Sequence, residues 1–172
     1  IGIPEATVCD NAGDAALQDK IVAIQRKVVG QARDPVRTAA EIARMRALIS
    51  QEKAPEGPFD LKLIPGGVVD VEFIAQYLTL AHAAAHPEMI GLDTLAAIQT
   101  AGALGLLAAE HSAVLSDAHQ IYARLTQFLR IVLIDDRQVE AQSPAFKRKL
   151  AQAAGLPSYR LLVSELSATA RR

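Results

Sequence analysis

Apolar residues recur every three or four positions along most of the chain, the spacing of one face of an α-helix. Between Asp14 and Val29 they fall at Leu17, Ile21, Ile24 and Val28, and Gly30 stands where a helix would end, which predicts a first helix there. Asp34 followed by Pro35 predicts a second start. The aspartate can accept from free backbone N–H groups, and proline at the first helical position loses nothing by lacking its own. This helix is expected to run to about Glu52, with Ile42, Met45 and Ile49 as its apolar stripe and Glu41, Arg44, Arg46 and Glu52 on its wet side. Val68 to Ala85 is apolar nearly all round, with Val71, Ile74, Leu78 and Ala81 on one side and Phe73, Tyr77, Leu80 and Ala84 on the other. Such a helix belongs in the middle of a bundle.

Four more starts follow. Asp93 or Thr94 caps a short helix ending near Gly102, and Ser112 caps a long one reaching about Ile134. Ser143-Pro144 repeats the cap-then-proline start of a helix closed by Gly155, and Ser158 begins the last, through Leu161, Leu162, Val163 and Leu166. Between Lys53 and Gly67 lie Pro55, Gly57, Pro58, Pro65 and the pair Gly66-Gly67, too many breakers for a regular element longer than Phe59 to Ile64. The pattern therefore predicts an all-α fold, a bundle of about seven helices with a central apolar helix near 68–85. Residues 1–13 are expected to be a poorly ordered N-terminal segment. Residues 14–172 are expected to form one helical domain: two leading helices over 14–52, a Pro/Gly-rich joint over 53–67 and the bundle over 68–172.

Composition supports helices and narrows the function. The 172 residues are 51% apolar but only 4% aromatic, with 32 Ala and 20 Leu, so the core must be built from small and aliphatic side chains. Eighteen Lys and Arg against nineteen Asp and Glu leave a net charge of −1, which provides no field for a phosphate backbone or an anionic membrane. Nucleic acid and membrane are thus excluded as expected partners. The run Lys147-Arg148-Lys149 and Arg124, Arg130 and Arg137 lack interleaved aromatic residues and are expected to be a solvated surface. The single Cys9 has no internal partner, which suits a reducing, cytoplasmic setting, and no apolar stretch reaches the roughly 20 residues of a membrane span. The opening IGIPEATVCD has neither an initiator Met nor the pattern of a signal peptide, as expected of an excised fragment.

Candidate chemistry is concentrated in Phe59 to Phe73, which holds Lys62, Gly66, Gly67, Asp70 and Glu72. If Val68 to Glu72 were a strand, both carboxylates would face one side and could share Mg²⁺. If the glycines open a helix, the backbone could approach a phosphate there, with Lys62 as a nearby point charge. The third reading is structural, a tight turn with the carboxylates complementing the helix dipole and Lys62 paired to one of them. Continuity with the apolar run favours a helix, in which residues two apart point about 200° away from each other. That argues against a shared metal and leaves a cleft-lining role and the structural role open. His82 and His86 have the i, i+4 spacing of a zinc pair, but only alanines lie between them, and ordinary dipole complementation at a helix end accounts for them.

The segment FDLKLIPGGVVDVEFIAQYLTL, Phe59 to Leu80, resembles the helical domain that follows each nucleotidyltransferase domain in bacterial glutamine synthetase adenylyltransferases, through D-[LI]-K, then G-G, then D-[VI]-E-F-[IL]-x-Q-Y-L. Asp34-Pro35 with Ile42, Met45 and Arg46 resembles the helix leading into it, and Ser143 through Leu166 resembles the family's C-terminal end. The resemblance implies a parent enzyme that uses ATP and Mg²⁺ to transfer AMP to a tyrosine of glutamine synthetase, and removes it by phosphorolysis under control of the signalling protein PII. It also implies catalytic domains carrying Gly-Ser and an Asp-x-Asp pair that holds the metal. This chain has neither motif; Asp70-Val71-Glu72 is its nearest approach. No catalytic residue, metal ligand or cofactor is therefore expected in the fragment itself. Its expected partners are the nucleotidyltransferase domain of the same polypeptide and glutamine synthetase. PII or the enzyme's other half is the partner if the chain is a regulatory module, and an independent metal-dependent transferase would need Asp70 and Glu72.

Overall fold

The computed structural model describes residues 15–132 and 136–169, and among these it contains helices and no strand. The seven α-helices are α1 (Ala15–Val29), α2 (Pro35–Glu52), α3 (Val68–His82), α4 (Thr94–Ala103), α5 (Ala109–Val132), α6 (Pro144–Ala153) and α7 (Tyr159–Thr169), with 3₁₀ turns at Pro87–Met89 and Asp136–Ala141. The all-α class and the seven helices are as the periodicity predicts. The expectation for residues 1–13, and Cys9 with it, lies outside the described residues.

The helix boundaries follow from the capping residues. Asp34 Oδ1 accepts from the amides of Val36 and Arg37 at 2.8 and 3.1 Å, which satisfies donors that open α2. Ser143 and Ser158 do the same for Phe146 and Leu161, each at 3.2 Å, and Gly155 adopts φ +76° just beyond α6. At α4 the cap is Asp93, whose carboxylate accepts from the Ala96 amide, and Thr94 is the first helical residue. The long helix begins at Ala109, so Ser112 is an interior residue and not a cap: its hydroxyl donates to the Ile98 carbonyl at 3.2 Å. The apolar run from Val68 leaves the helix at His82, because the amides of Ala85 and His86 both turn back to the His82 carbonyl ahead of Pro87.

The chain divides into two compact units. One comprises residues up to Ala43 together with Ile74–Ser112; the other comprises Arg44–Phe73 together with residues from Ala113 onward. In the first, Leu78, Met89 and Ala101 form a buried cluster against which Tyr77, Leu104, Leu106 and Leu107 pack. Small residues bring α4 and α5 close together there. A Cβ on Gly102 would stand 2.6 Å from Ser112 Oγ and 2.8 Å from Ser112 Cβ. The second unit buries Leu125, Val139, Leu150 and Leu162 completely and adds two aromatic pairs. Phe59 stacks on Tyr159 at 5.9 Å between centroids, and Phe128 tilts against Phe146 at 5.7 Å.

One predicted apolar stripe is not where the core lies, and a second is met in two of its three residues. On α1, Leu17, Ile21, Ile24 and Val28 are exposed at 55%, 43%, 62% and 51%, and the buried residue is Val29. On α2, Met45 is exposed and the half-buried row is Ile42, Arg46 and Ile49, so an arginine assigned to the wet side takes the place of the methionine.

Candidate functional site

The joint between α2 and α3 contains no regular element, yet it is tightly held within the second unit. Phe59, Leu61 and Ile64 are buried and pin the loop by their side chains. Asp60 folds the backbone locally, its two oxygens accepting from the amides of Leu63 and Glu56, each at 3.3 Å. Gly66 turns the chain with φ +73°, so the expected left-handed glycine is the first of the pair. Gly67 is required for a different reason: a Cβ there would lie 2.5 Å from the Leu61 carbonyl oxygen and 2.8 Å from that of Ile64.

Asp70, on the first turn of α3, ties this turn to α2. Its Oδ1 accepts from Arg46 Nε, and its Oδ2 accepts from Arg46 Nη2 at 3.2 Å and from the Gly66 amide at 2.6 Å. Arg46 also donates to the Leu63 carbonyl at 3.2 Å and to the Ser50 hydroxyl. The side chains of Arg46 and Asp70 are 17% and 25% exposed, so this is a largely desolvated, two-pronged ion pair in which each guanidinium nitrogen donates at least once. From the other side, Tyr122 on α5 donates its hydroxyl to the Gly66 carbonyl at 2.9 Å. Both polar groups of the Gly66 peptide plane region are thereby fixed, the N–H by α3 and the C=O by α5.

This geometry decides between the chemical readings. Val68 to Glu72 is helix, so the strand that would aim Asp70 and Glu72 at one metal does not form. Asp70 already accepts three hydrogen bonds, and Glu72 is half-buried on another side of α3, engaged in an interaction of its own. Among the described residues no group of three or more His, Cys, Asp or Glu is placed to hold a metal ion. The phosphate cradle has also lost its donors. Gly66 N–H is given to Asp70, and those of Gly67, Val68 and Val69 to the carbonyls of Ile64, Leu61 and Lys62 at 2.9, 2.9 and 3.3 Å. Lys62 differs from its neighbours: it is exposed, and its ammonium has no ion pair or hydrogen bond among the described residues. In the structural reading Lys62 pairs with one of the two carboxylates; the partner that Asp70 has is Arg46. The turn is held by hydrogen bonds, and the exposed Lys62 stands beside it without a partner among the described residues.

Arg46, Ser50 and Tyr122 are the members of this arrangement that sequence reasoning missed. The available signal was the position of Arg46, four residues after Ile42 and three before Ile49, which places it on the inward row. Elsewhere, His82 and His86 do not converge on anything: His86 Nδ1 lies 3.3 Å from Glu88 Oε1, and the carboxyl of Glu88 is held below its usual range chiefly by a backbone hydrogen bond. In the C-terminal basic run, Arg148 and Lys149 are exposed as expected, whereas Lys147 is engaged. It donates to the Glu140 carbonyl and carboxylate at 2.8 and 3.2 Å and lies 5.1 Å from the Tyr159 ring centroid. The side chain of Arg137 lies outside the described ones.

Comparison with known proteins adds the following. Residues 39–172 match the protein-family model described as GlnD PII-uridylyltransferase. A bifunctional glutamine synthetase adenylyltransferase/adenylyl-removing enzyme of Xanthobacter autotrophicus is 46% identical over 143 residues, 83% of this chain and 14% of that protein. Enzymes of the same description from Rhodopseudomonas palustris and Bradyrhizobium diazoefficiens are 39% and 34% identical over 152 and 158 residues, 88% and 92% of this chain and 15% and 16% of theirs. The chain thus spans about one-seventh of the length of these relatives. No solved structure matches. No helix among the described residues is long and apolar enough to cross a membrane.

Proposed function

Because this chain belongs to the glutamine synthetase adenylyltransferase family, we propose that it is a non-catalytic helical accessory domain, packed beside a nucleotidyltransferase domain of the same polypeptide. In this reading it closes one side of that domain's ATP and Mg²⁺ cleft and presents part of the contact surface for glutamine synthetase. The family model and the relatives name different protein targets but the same kind of step, transfer of a nucleotidyl group to a protein. A shared helical segment suits what the two have in common.

The observation that carries the proposal is the exposed Lys62, whose ammonium has no partner among the described residues, beside the Arg46–Asp70–Gly66–Tyr122 arrangement. Arg46, Asp70 and Tyr122 hold the backbone at Leu63 and Gly66 beside that lysine, and an exposed ammonium there can meet the phosphates of a nucleotide or a carboxylate across a domain junction. The chain has no Gly-Ser and no Asp-x-Asp with which to hold a metal, so the chemistry is assigned to the rest of the polypeptide. Within this reading Gly66, Gly67 and Asp70 are positioning residues for Lys62. The alternative, a regulatory module binding PII, would be favoured by an apolar patch on the Val68 helix. Ile74, at the margin of exposure, is the sole exposed large apolar residue there, which gives that alternative no support on this helix.

The test replaces the matched segment of the Xanthobacter enzyme with this chain. The chimera should incorporate AMP into glutamine synthetase, while the 172-residue chain alone, given ATP and Mg²⁺, should not. Incorporation by the chain alone would end the accessory reading.

A further inference from the structure

Helix α1 has two distinct sides. Val22, Gln25 and Val29 are buried or half-buried, and Gln25 packs over Gly91 in the same unit, with its amide 3.9 Å from where a Cβ of that glycine would stand. The apolar row Leu17, Ile21, Ile24 and Val28 is centred about 100° round the helix axis from that side. Rotating α1 to bury the row would give up the first set of contacts, so the row is left open by construction of the unit.

The spacing of the row is four, three, four, the pattern that seats knobs into the holes of a facing helix. Lys20 and Lys27 flank it on the side away from Val22, exposed and without an ion pair among the described residues. A second copy of α1 would place Gln or Lys opposite these lysines in either orientation and supplies no carboxylate there. The complementary occupant is a helix whose apolar stripe is edged by Asp or Glu.

Chain length indicates where that helix comes from. The relatives are about seven times as long as the matched stretch, and the family-model match starts at residue 39, beyond α1. The Bradyrhizobium match covers 158 of the 172 residues and leaves 14 outside it, so it includes nearly all of α1. Helix α1 is therefore a part of this chain held in common with the long adenylyltransferases and lying outside the more general match.

We propose that Leu17, Ile21, Ile24 and Val28 seat an acid-edged amphipathic helix from elsewhere in the same long polypeptide, with Lys20 and Lys27 pairing to its carboxylates. This rests on the reading of the chain as a segment of an adenylyltransferase and adds the surface by which it is held.

The experiment places a thiol in the row, Ile24→Cys in a Cys9→Ser background, and follows maleimide labelling by mass at that peptide, in the chain alone and in the Xanthobacter chimera. Labelling in the chain alone should proceed as for an open thiol at every concentration, and at least tenfold more slowly in the chimera. Lys20→Glu with Lys27→Glu in the chimera should restore fast labelling. Equal rates in the two proteins overturn the proposal. So does slow labelling of the chain alone, whether relieved by dilution, which would mean a second copy, or not, which would mean that the chain covers its own row. As a check independent of chimera folding, Ile21→Asp with Ile24→Asp should leave the melting temperature of the chain unchanged; a clear fall would place the row in the chain's own core and overturn the proposal. AMP transfer by the chimera is read separately: an active chimera with a freely labelled thiol rejects this surface and leaves the accessory role standing.

Discussion

The two units of this chain are stabilised by different means. The unit containing α4 closes on small residues. Ala101 is fully buried, and Gly102 lies so close to Ser112 that a single methyl group has no room. The unit containing the 59–67 joint adds to its aliphatic core a set of directed polar contacts, the paired Arg46 and Asp70 and the two hydrogen bonds that hold Gly66, with aromatic stacking beside them. A volume-limited contact tolerates polarity changes and fails on added atoms; a donor–acceptor arrangement tolerates small volume changes and fails when one partner is removed. The polar arrangement holds the backbone at Leu63 and Gly66, close in sequence to the exposed Lys62, and this makes the joint the place to probe for function.

The largest expected effect is on the polar side. Asp70→Ala leaves a half-buried guanidinium and the Gly66 amide without their acceptor, and should cost about 3 kcal/mol in chemical denaturation. A loss comparable to an ordinary surface substitution would show that the pair is ornamental. Gly67→Val sets a side chain against the carbonyls of Leu61 and Ile64, backbone atoms that cannot step aside, and should cost about 2 to 3 kcal/mol by thermal melt.

On the volume-limited side, Gly102→Ala should cost about 1 to 2 kcal/mol, and Ser112→Gly should recover part of that loss in the double variant. Absence of coupling between the two would break the contrast drawn between the units.

The smallest effect is pH-dependent. Tyr159 donates its hydroxyl to Glu140 at 2.7 Å, and that bond is the main reason the Glu140 carboxyl sits below its usual value of 4.5. Burial, with the same glutamate, pushes the Tyr159 hydroxyl upward. A depressed carboxyl contributes stability that is present above its unfolded pKa and lost as pH falls through the folded one. The stability gap between the native chain and Tyr159→Phe should therefore be constant near neutrality, at about 0.5 kcal/mol, and narrow below pH 4.5. A gap that widens on acidification would contradict the assignment.

Helix boundaries were legible because caps are local: Asp34, Ser143 and Gly155 act on backbone groups within a turn of themselves. The turn at Gly66-Gly67 was legible for the same reason. What could not be read was which of two candidate rows on a helix meets the core. On α1 both Val22 with Val29 and the row from Leu17 to Val28 are apolar, and periodicity alone selects the longer row, which the structure leaves open. On α2 the pattern excluded Arg46 from the inward face because charge usually means solvent, whereas its partner lies 24 residues away at Asp70. Long-range polar pairs carry no periodic signal, so the polar arrangement beside Lys62 was invisible even though Lys62 itself was not.

Lys62 provides the most direct test of the central claim. In the Xanthobacter chimera, Lys62→Ala should lower the rate of AMP transfer per folded molecule at least tenfold, about 1.4 kcal/mol of barrier, with Lys62→Arg recovering part of it. The same substitution in the 172-residue chain should leave the melt unchanged, since the ammonium makes no hydrogen bond or ion pair among the described residues. Full activity per folded molecule, or a loss of activity explained by a lowered melt, would contradict the assignment of Lys62 to the nucleotide cleft.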